Sequence, residues 1–436
     1  MRRGIFRLHA LATLLASSLS CHAPAHAQQA PAPASRALVG ASVLDVETGK
    51  AIPDAVVVIT GERIAAVGPA ATTPIPAEAR IVRLPGKWLI PGLMNMHVHL
   101  GLKLPGAAGA ALVGETDPEQ VLRMAANARR SLLSGVTTLR LVGEDHGNDF
   151  ALKQAIDSGE IVGPRIETAG EVIVPTGGHG SLEADGPYGL VKAAREQIKR
   201  GATWIKIAIS GGISDSHGAI AAAPMTDDEL RTLIEVAHRN NVRITAHNGS
   251  PVAAAQAVGF GIDGFEHGYH LDRAVLQEMR RKGTWLVPTI VVTQPGALPF
   301  YRKIGSPDWY LQRVAETGED HWRTLQTAIG LGVNIALGTD QFPFEPNSGT
   351  TATIEEAELY VKAGMTPLQA LQSGTINAAR MLGRTDIGRI RTGDYADIVA
   401  VDANPAANIA ALRTISFVMK GGMIVRDDAE PGAIDQ

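Results

Sequence analysis

Between residues 91 and 385, short apolar runs rich in β-branched residues alternate with longer amphipathic stretches, and this alternation restricts the fold more than any other feature of the chain. Eight such runs occur, at 93–100, 137–143, 165–173, 204–210, 243–248, 264–268, 284–290 and 334–340. Runs of this length separated by helices read as parallel strands joined by crossovers. Helices are predicted at 119–133, 188–200 and 226–240, the last with Thr226 as N-cap and Glu229 three residues on, a capping-box signature. Eight βα units close into an α/β fold, a (β/α)8 TIM-like barrel, whose chemistry stands at the carboxyl ends of its strands.

The flanks have a different texture. Residues 38–44, 55–60, 63–67 and 80–84 are short strand-like runs broken by turn signals, and 397–402, 414–420 and 423–425 repeat the style. The expected organisation is a small antiparallel β-sandwich domain made from both ends, 37–90 plus 386–430, with the barrel at 91–385 inserted between them. A chain of 436 residues has room for both, since such a barrel takes about 250 residues.

Before these lies a targeting signal. The opening carries three arginines and no acid, residues 8–19 are largely apolar, and Ala25-His26-Ala27 forms a small-x-small cleavage site, so 1–27 reads as a signal peptide. Its apolar stretch is too short for a transmembrane helix, which needs about 20 residues, and no other integral membrane segment is expected. The single cysteine, Cys21, falls inside this segment, leaving a thiol-free mature chain suited to secretion or the periplasm. The alternative is a lipoprotein anchored through Cys21, although Leu19 sits one place from where a lipobox wants it. Residues 28–36 read as a Pro/Ala linker without fixed structure. With 40 basic and 44 acidic residues, a net charge of −4 and no long like-charge run, nucleic acid is not an expected partner.

The strand ends carry the polar residues that need an account. The first run holds His97 and His99, which share one strand face and can grip one cation. The fourth places Lys206 in an otherwise apolar strand, and an unpaired buried ammonium is costly. The fifth ends at His247, the sixth at His267 and the eighth at Asp340.

This ordered set resembles the binuclear-metal sites of the amidohydrolase superfamily. The resemblance covers nearly all of the mature chain, including Leu89-Ile90-Pro91-Gly92-Leu93, Gly364-Met365-Thr366-Pro367 leading to Thr375-Ile376-Asn377-Ala378-Ala379, and Gly388-Arg389-Ile390 followed by Gly393-Asp394-Tyr395-Ala396-Asp397. It implies two divalent metal ions, zinc by preference, with manganese, cobalt or iron as alternatives. One would be held by His97, His99, Asp340 and Lys206 carboxylated to N6-carboxylysine, the other by the same lysine, His247 and His267. Asp340 would also act as general acid/base, and an ionised water would attack a carbonyl. A mononuclear deaminase does not fit, since Asn248, Gly249 and Ser250 follow His247 where such enzymes carry a nearby glutamate.

Gly177-Gly178-His179-Gly180 and Ile209-Ser210-Gly211-Gly212 look like the imidazolonepropionase-related branch, which includes prolidase-like dipeptidases, metallo-carboxypeptidases and ochratoxin A amidases. Relatives of this kind include homo-oligomers up to octamers. Candidate substrate contacts are His179, equally readable as a loop-stabilising histidine, and Arg140, which could bind a substrate carboxylate or pair with an acid. His217, Tyr269 and His270 lie on loops of the same face. The leading expectation is a secreted hydrolase of N-acyl amino acids or dipeptide-like substrates with a free carboxylate, carboxypeptidase- or prolidase-like and with ochratoxin A among the candidates. A cyclic amide hydrolase or lactonase is the alternative, and a non-catalytic periplasmic metal or solute binder the third reading.

Overall fold

The computed structural model describes residues 35–340 and 352–435. The expected signal peptide with its expected cleavage site, Cys21 and most of the expected linker lie outside the described residues. Ser35 and Arg36, expected in the linker, instead open the first strand, β1 (Ser35–Leu44), where they pair with Thr60 and Ile59. The Arg36 guanidinium is held by both oxygens of Asp435 at 2.8 Å, so the two ends of the described chain are tied together.

Along one edge β1 runs antiparallel to β2 (Ala51–Thr60), which continues into β3 (Arg63–Pro69). On its other edge the first half pairs with β4 (Arg80–Arg83) and the second half with β5 (Trp88–Pro91), the pairing shifting near Gly40, where φ is +81°. Both of these pairings are parallel, whereas the sequence predicts an antiparallel sheet. Segment 70–79 returns the chain to the end from which β1 started, which is the crossover a parallel pair requires.

The barrel follows. Its staves are β6 (Leu93–Val98), β7 (Val136–Leu141), β8 (Arg165–Thr168), β11 (Trp204–Ala208), β12 (Arg243–Asn248), β13 (Gly264–His267), β14 (Trp285–Val287) and β15 (Asn334–Ile335), with the short β9 (Ile173–Val174) paired to β11 and β10 (Leu182–Glu183) paired to β9. All eight strand runs of the sequence are present, mutually parallel. Helices Asp117–Leu133, Gly186–Arg200 and Asp227–Arg239 stand where predicted, and Thr226 and Glu229 form the reciprocal cap.

Two seams close the cylinder. Thr203 N–H donates to the Thr168 carbonyl at 2.9 Å, while Met96 N–H donates to Leu337 O at 2.7 Å and Thr339 N–H to His97 O at 3.0 Å. The second seam is tight: a Cβ on Gly338 would come within 2.3 Å of Val287 and 2.8 Å of the His97 backbone, so only glycine fits.

After the barrel, β16 (Ile398–Val401), β17 (Phe417–Lys420) and β18 (Met423–Asp427) extend the first sheet from β5. Strands from both ends of the chain thus surround one core, with Leu38, Val57, Ile59, Leu89, Ile398 and Phe417 inside it.

Candidate active site

Strand alternation fixes where the site forms. His97 and His99 leave the end of β6 on one face, and His247, His267 and Asp340 reach the same space from β12, β13 and the segment beyond β15. His267 and Asp340 have φ of +66° and +53°, an uncommon backbone for such residues. Asp340 is held there by its own N–H, which donates to His97 O at 2.8 Å.

The outer nitrogen of each imidazole is tied down. His97 Nδ1 faces Glu266 Oε2 at 2.8 Å, His99 Nδ1 faces Gly143 O at 2.7 Å and His267 Nδ1 faces Thr289 Oγ1 at 2.7 Å. The carboxylate and the carbonyl opposite Nδ1 of His97 and His99 are obligate acceptors, so the proton sits on Nδ1 and Nε2 is a lone pair, whereas the Thr289 hydroxyl, able to donate or accept, orients the His267 ring without fixing its tautomer. His247 is the reverse case: its Nε2 lies 3.0 Å from Gly211 O, so Nδ1 is the free nitrogen. His97 Nε2 and His99 Nε2 are 3.2 Å apart and lie 3.2 and 3.1 Å from Asp340 Oδ1. Two lone pairs and an anionic oxygen so close repel one another unless positive charge lies among them.

The electrostatics agree. Burial pushes His247 and His267 well below the usual imidazole range, keeping both neutral. Burial would raise Asp340, but the neighbouring His97 and His99 outweigh it and hold the carboxyl well below normal. Burial also lowers the Lys206 ammonium to about 8, with Glu266 and Asp340 opposing. Donor atoms of His97, His267 and Asp340 all lie within 4.8 Å of one another. A donor set of four imidazoles, each with one nitrogen held by a neighbouring group, one carboxylate and a buried lysine fits divalent cations of the zinc type.

Below the cluster, Glu266 is fully buried. It accepts from Arg140 Nη2 at 2.5 Å, from the Thr245 hydroxyl at 2.5 Å and from His97. Burial would raise its carboxyl, but Arg140 and then His97 bring it below the usual carboxylate range. Arg140 is therefore not a substrate contact. With 0% of its side chain exposed, its Nε donates to Met96 O at 2.6 Å and it lies over the Trp204 ring.

A cavity of about 390 Å³ opens above the cluster, lined among others by His179, Lys206, Tyr269 and Asp340. His179 Nδ1 bonds Asp215 at 2.7 Å and its ring centroid lies 4.3 Å from that of His247. Tyr269 stacks on His267, 4.9 Å between centroids and 10° between planes. Two candidates fall away from the cavity: His217 is exposed with Nδ1 on the Ser216 hydroxyl, and His270 turns its Nδ1 to Asp320 at 3.1 Å. Neither lines the pocket, because local partners on the loop and on helix Asp308–Leu331 draw them outward.

A family model for the amidohydrolase family matches residues 88–425. The chain belongs to this family. The amidohydrolase is 28% identical to ochratoxinase of Aspergillus niger over 439 aligned positions, 89% of this chain and 86% of that enzyme. The crystal structure of that ochratoxinase superposes with a TM-score of 0.79 at 26% identity, covering 91% of this chain and 97% of that one. An Xaa-Pro dipeptidase with bound methionine in its active site gives 0.83 at 27% identity, covering 90% and 100%. Imidazolonepropionase of Streptomyces griseus is 27% identical, over 86% of this chain and 93% of that enzyme.

Several groups at the amidohydrolase site were not identified from sequence. Glu266 lies inside the β13 motif, and its signal was a carboxylate in an apolar strand that would need a buried cation such as Arg140. Glu144, accepting from Leu100 N–H at 2.5 Å and Gly101 N–H at 2.9 Å, braces the loop after β6. His321 receives the Thr293 hydroxyl at Nδ1 (2.8 Å) and donates from Nε2 to Pro288 O (2.7 Å) and His267 O (3.1 Å). Its place on helix Asp308–Leu331 gave no sequence signal.

Proposed function

We propose that this hydrolase uses two divalent cations, zinc by preference, to cleave the amide bond of N-acyl amino acids or dipeptide-like substrates carrying a free carboxylate. The observation that supports it best is the convergence of His97 Nε2, His99 Nε2 and Asp340 Oδ1 within 3.2 Å, with both imidazoles anchored from behind. Bound cations would supply a water ionised near neutral pH and polarise the scissile carbonyl.

The side chains do the rest. His97, His99, His247 and His267 would hold the cations through imidazole nitrogens, and Lys206, once carbamylated, would supply a carboxylate to them. That adduct would form when the ammonium gives up one proton and the neutral amine adds carbon dioxide and releases a second, so that a buried cation becomes an anion. Asp340 Oδ takes the proton of the attacking water and delivers it to the departing amide nitrogen. The likeness to ochratoxinase and to an Xaa-Pro dipeptidase supports an amide bond over a lactone or cyclic imide. Export through cleavage near Ala27 belongs to the same proposal and rests on the amino-terminal sequence. Among the described residues no helix is long and apolar enough to cross a membrane.

Turnover of an N-acyl amino acid panel beside lactones and cyclic imides, with metal analysis of the purified protein, tests the reading. Lys206→Ala is expected to lose bound metal and activity together. Two equivalents of metal and an unchanged rate in that variant would overturn the bridge.

A further inference from the structure

His267 and Thr289 stand just at and beyond the ends of β13 and β14, both with positive φ, +66° and +53°. Their side chains meet, Nδ1 to Oγ1, at 2.7 Å. For a β-branched residue such as Thr289 this backbone is a genuine outlier, and such outliers persist only where the surroundings over-determine them. Here the peptide groups around Thr289 are bonded by side chains of three helices. From helix Asp308–Leu331, His321 Nε2 donates to Pro288 O at 2.7 Å and to His267 O at 3.1 Å. From helix Thr353–Ala363, the two oxygens of Glu356 accept the Ile290 and Val291 N–H groups, both at 2.8 Å. From helix Ala297–Lys303, the Tyr301 hydroxyl donates to Val292 O at 3.1 Å. His321 also meets the Tyr269 ring edge to face, and that ring in turn stacks on His267. Thr289, His321 and Glu356 are completely buried, and none of the three lines the cavity. They cannot touch a substrate there.

Resting on the two-cation reading above, we infer that turn 288–293 is a positioning device for one of the two cations: His321 and Glu356 hold Thr289 in its left-handed conformation so that its hydroxyl sets the rotation of the His267 ring. The physical ground is the freedom of the imidazole, whose second side-chain torsion is broad, so nothing within His267 itself aims Nε2 at the cluster. With Nε2 engaged by a cation, the ring proton stands on Nδ1 and the hydroxyl is its acceptor. Relaxing Thr289 to the common negative φ would swing its Cβ, and the hydroxyl with it, away from the ring. The outer partners of His97 and His99 are Glu266 and the Gly143 carbonyl, on other elements. The turn therefore acts on the cation assigned to His247, His267 and Lys206 and not on the other.

The test withdraws zinc from the loaded, full mature protein with graded chelator and counts the metal left per chain. Outer partners of a ligating histidine typically change metal affinity about ten- to a hundredfold. In Thr289→Val, which keeps the shape and loses the hydroxyl, one equivalent is expected to need about ten- to a hundredfold more free zinc to stay bound, while the other is unmoved. Thr289→Ser keeps the hydroxyl and should hold both equivalents as the wild type does. Glu356→Gln can accept only one of the two N–H bonds and should move the same equivalent in the same direction, which carries the test if Thr289→Val fails to fold. A turn with a merely structural role would lower the melting temperature without separating the two equivalents. Equal loss of both equivalents, or wild-type retention of both, in the folded variants overturns the inference and leaves the two-cation reading standing. A wild-type protein that holds no second equivalent overturns both.

Discussion

Asp340 Oδ1 lies 3.2 and 3.1 Å from His97 Nε2 and His99 Nε2, while 23% of its side chain remains exposed, so it is both a ligand candidate and within reach of a bound water. Asp340→Asn preserves shape and an oxygen but cannot accept the water proton, and general acid/base groups contribute about 10²- to 10⁴-fold. With a metal ligand also weakened, kcat is expected to fall at least about a thousandfold, read by steady-state kinetics beside metal content. More than a tenth of the wild-type rate at full metal content would shift the base role to His179. Glu266→Gln is the second residue-scale prediction. It keeps an acceptor for His97 Nδ1 but strips the buried Arg140 of its counter-charge, so zinc affinity should drop about ten- to a hundredfold. Stability should fall by about 3–5 kcal/mol, checked by zinc titration and thermal unfolding. Residues at strand ends were legible because each closes an apolar run. Arg140 was not, because its choice between substrate and acid depends on Glu266, 126 residues away in the chain.

Helix Thr353–Ala363 is fastened to the turn after β14 by one carboxyl group: Glu356 accepts the Ile290 and Val291 N–H groups, both at 2.8 Å. Burial pushes this acid up to about 8 against the pull of those two donors. A folded-state pKa raised above the unfolded value means the native state binds the extra proton, so this contribution is complete below about pH 4.5 and is lost as pH rises through about 8. Between pH 6 and 9, Glu356→Gln should therefore flatten the fall in melting temperature relative to wild type by at least about 2 °C, measured by thermal unfolding across that range. A parallel slope in both proteins would refute the assignment. At this scale the barrel staves were legible through their apolar alternation and the helix at 227–239 through its cap. The parallel pairing of β1 with β4 and β5 was not, because strand direction depends on how segment 70–79 runs, and no local pattern encodes that.

At the scale of the whole molecule, the first expectation concerns maturation. If the leader is removed after Ala27, intact-mass analysis of the exported protein will show Gln28 as its first residue, whereas a diacylated species beginning at Cys21 would make it a lipoprotein. The second concerns the order in which the site comes into being. The seam that completes the cylinder joins β6 to the last stave, and across it Asn95 Nδ2 donates to Thr339 Oγ1, partners 244 residues apart, at 2.9 Å. His97 and Asp340 face each other over that same seam, so they have no shared space until nearly the entire chain between them has folded. Contacts so remote in sequence are expensive to bring together early. An ion lodged there would act as a clasp on a finished ring: it would slow the ring's opening far more than it hastened its assembly, and a chain halted short of closure would have nothing with which to hold it.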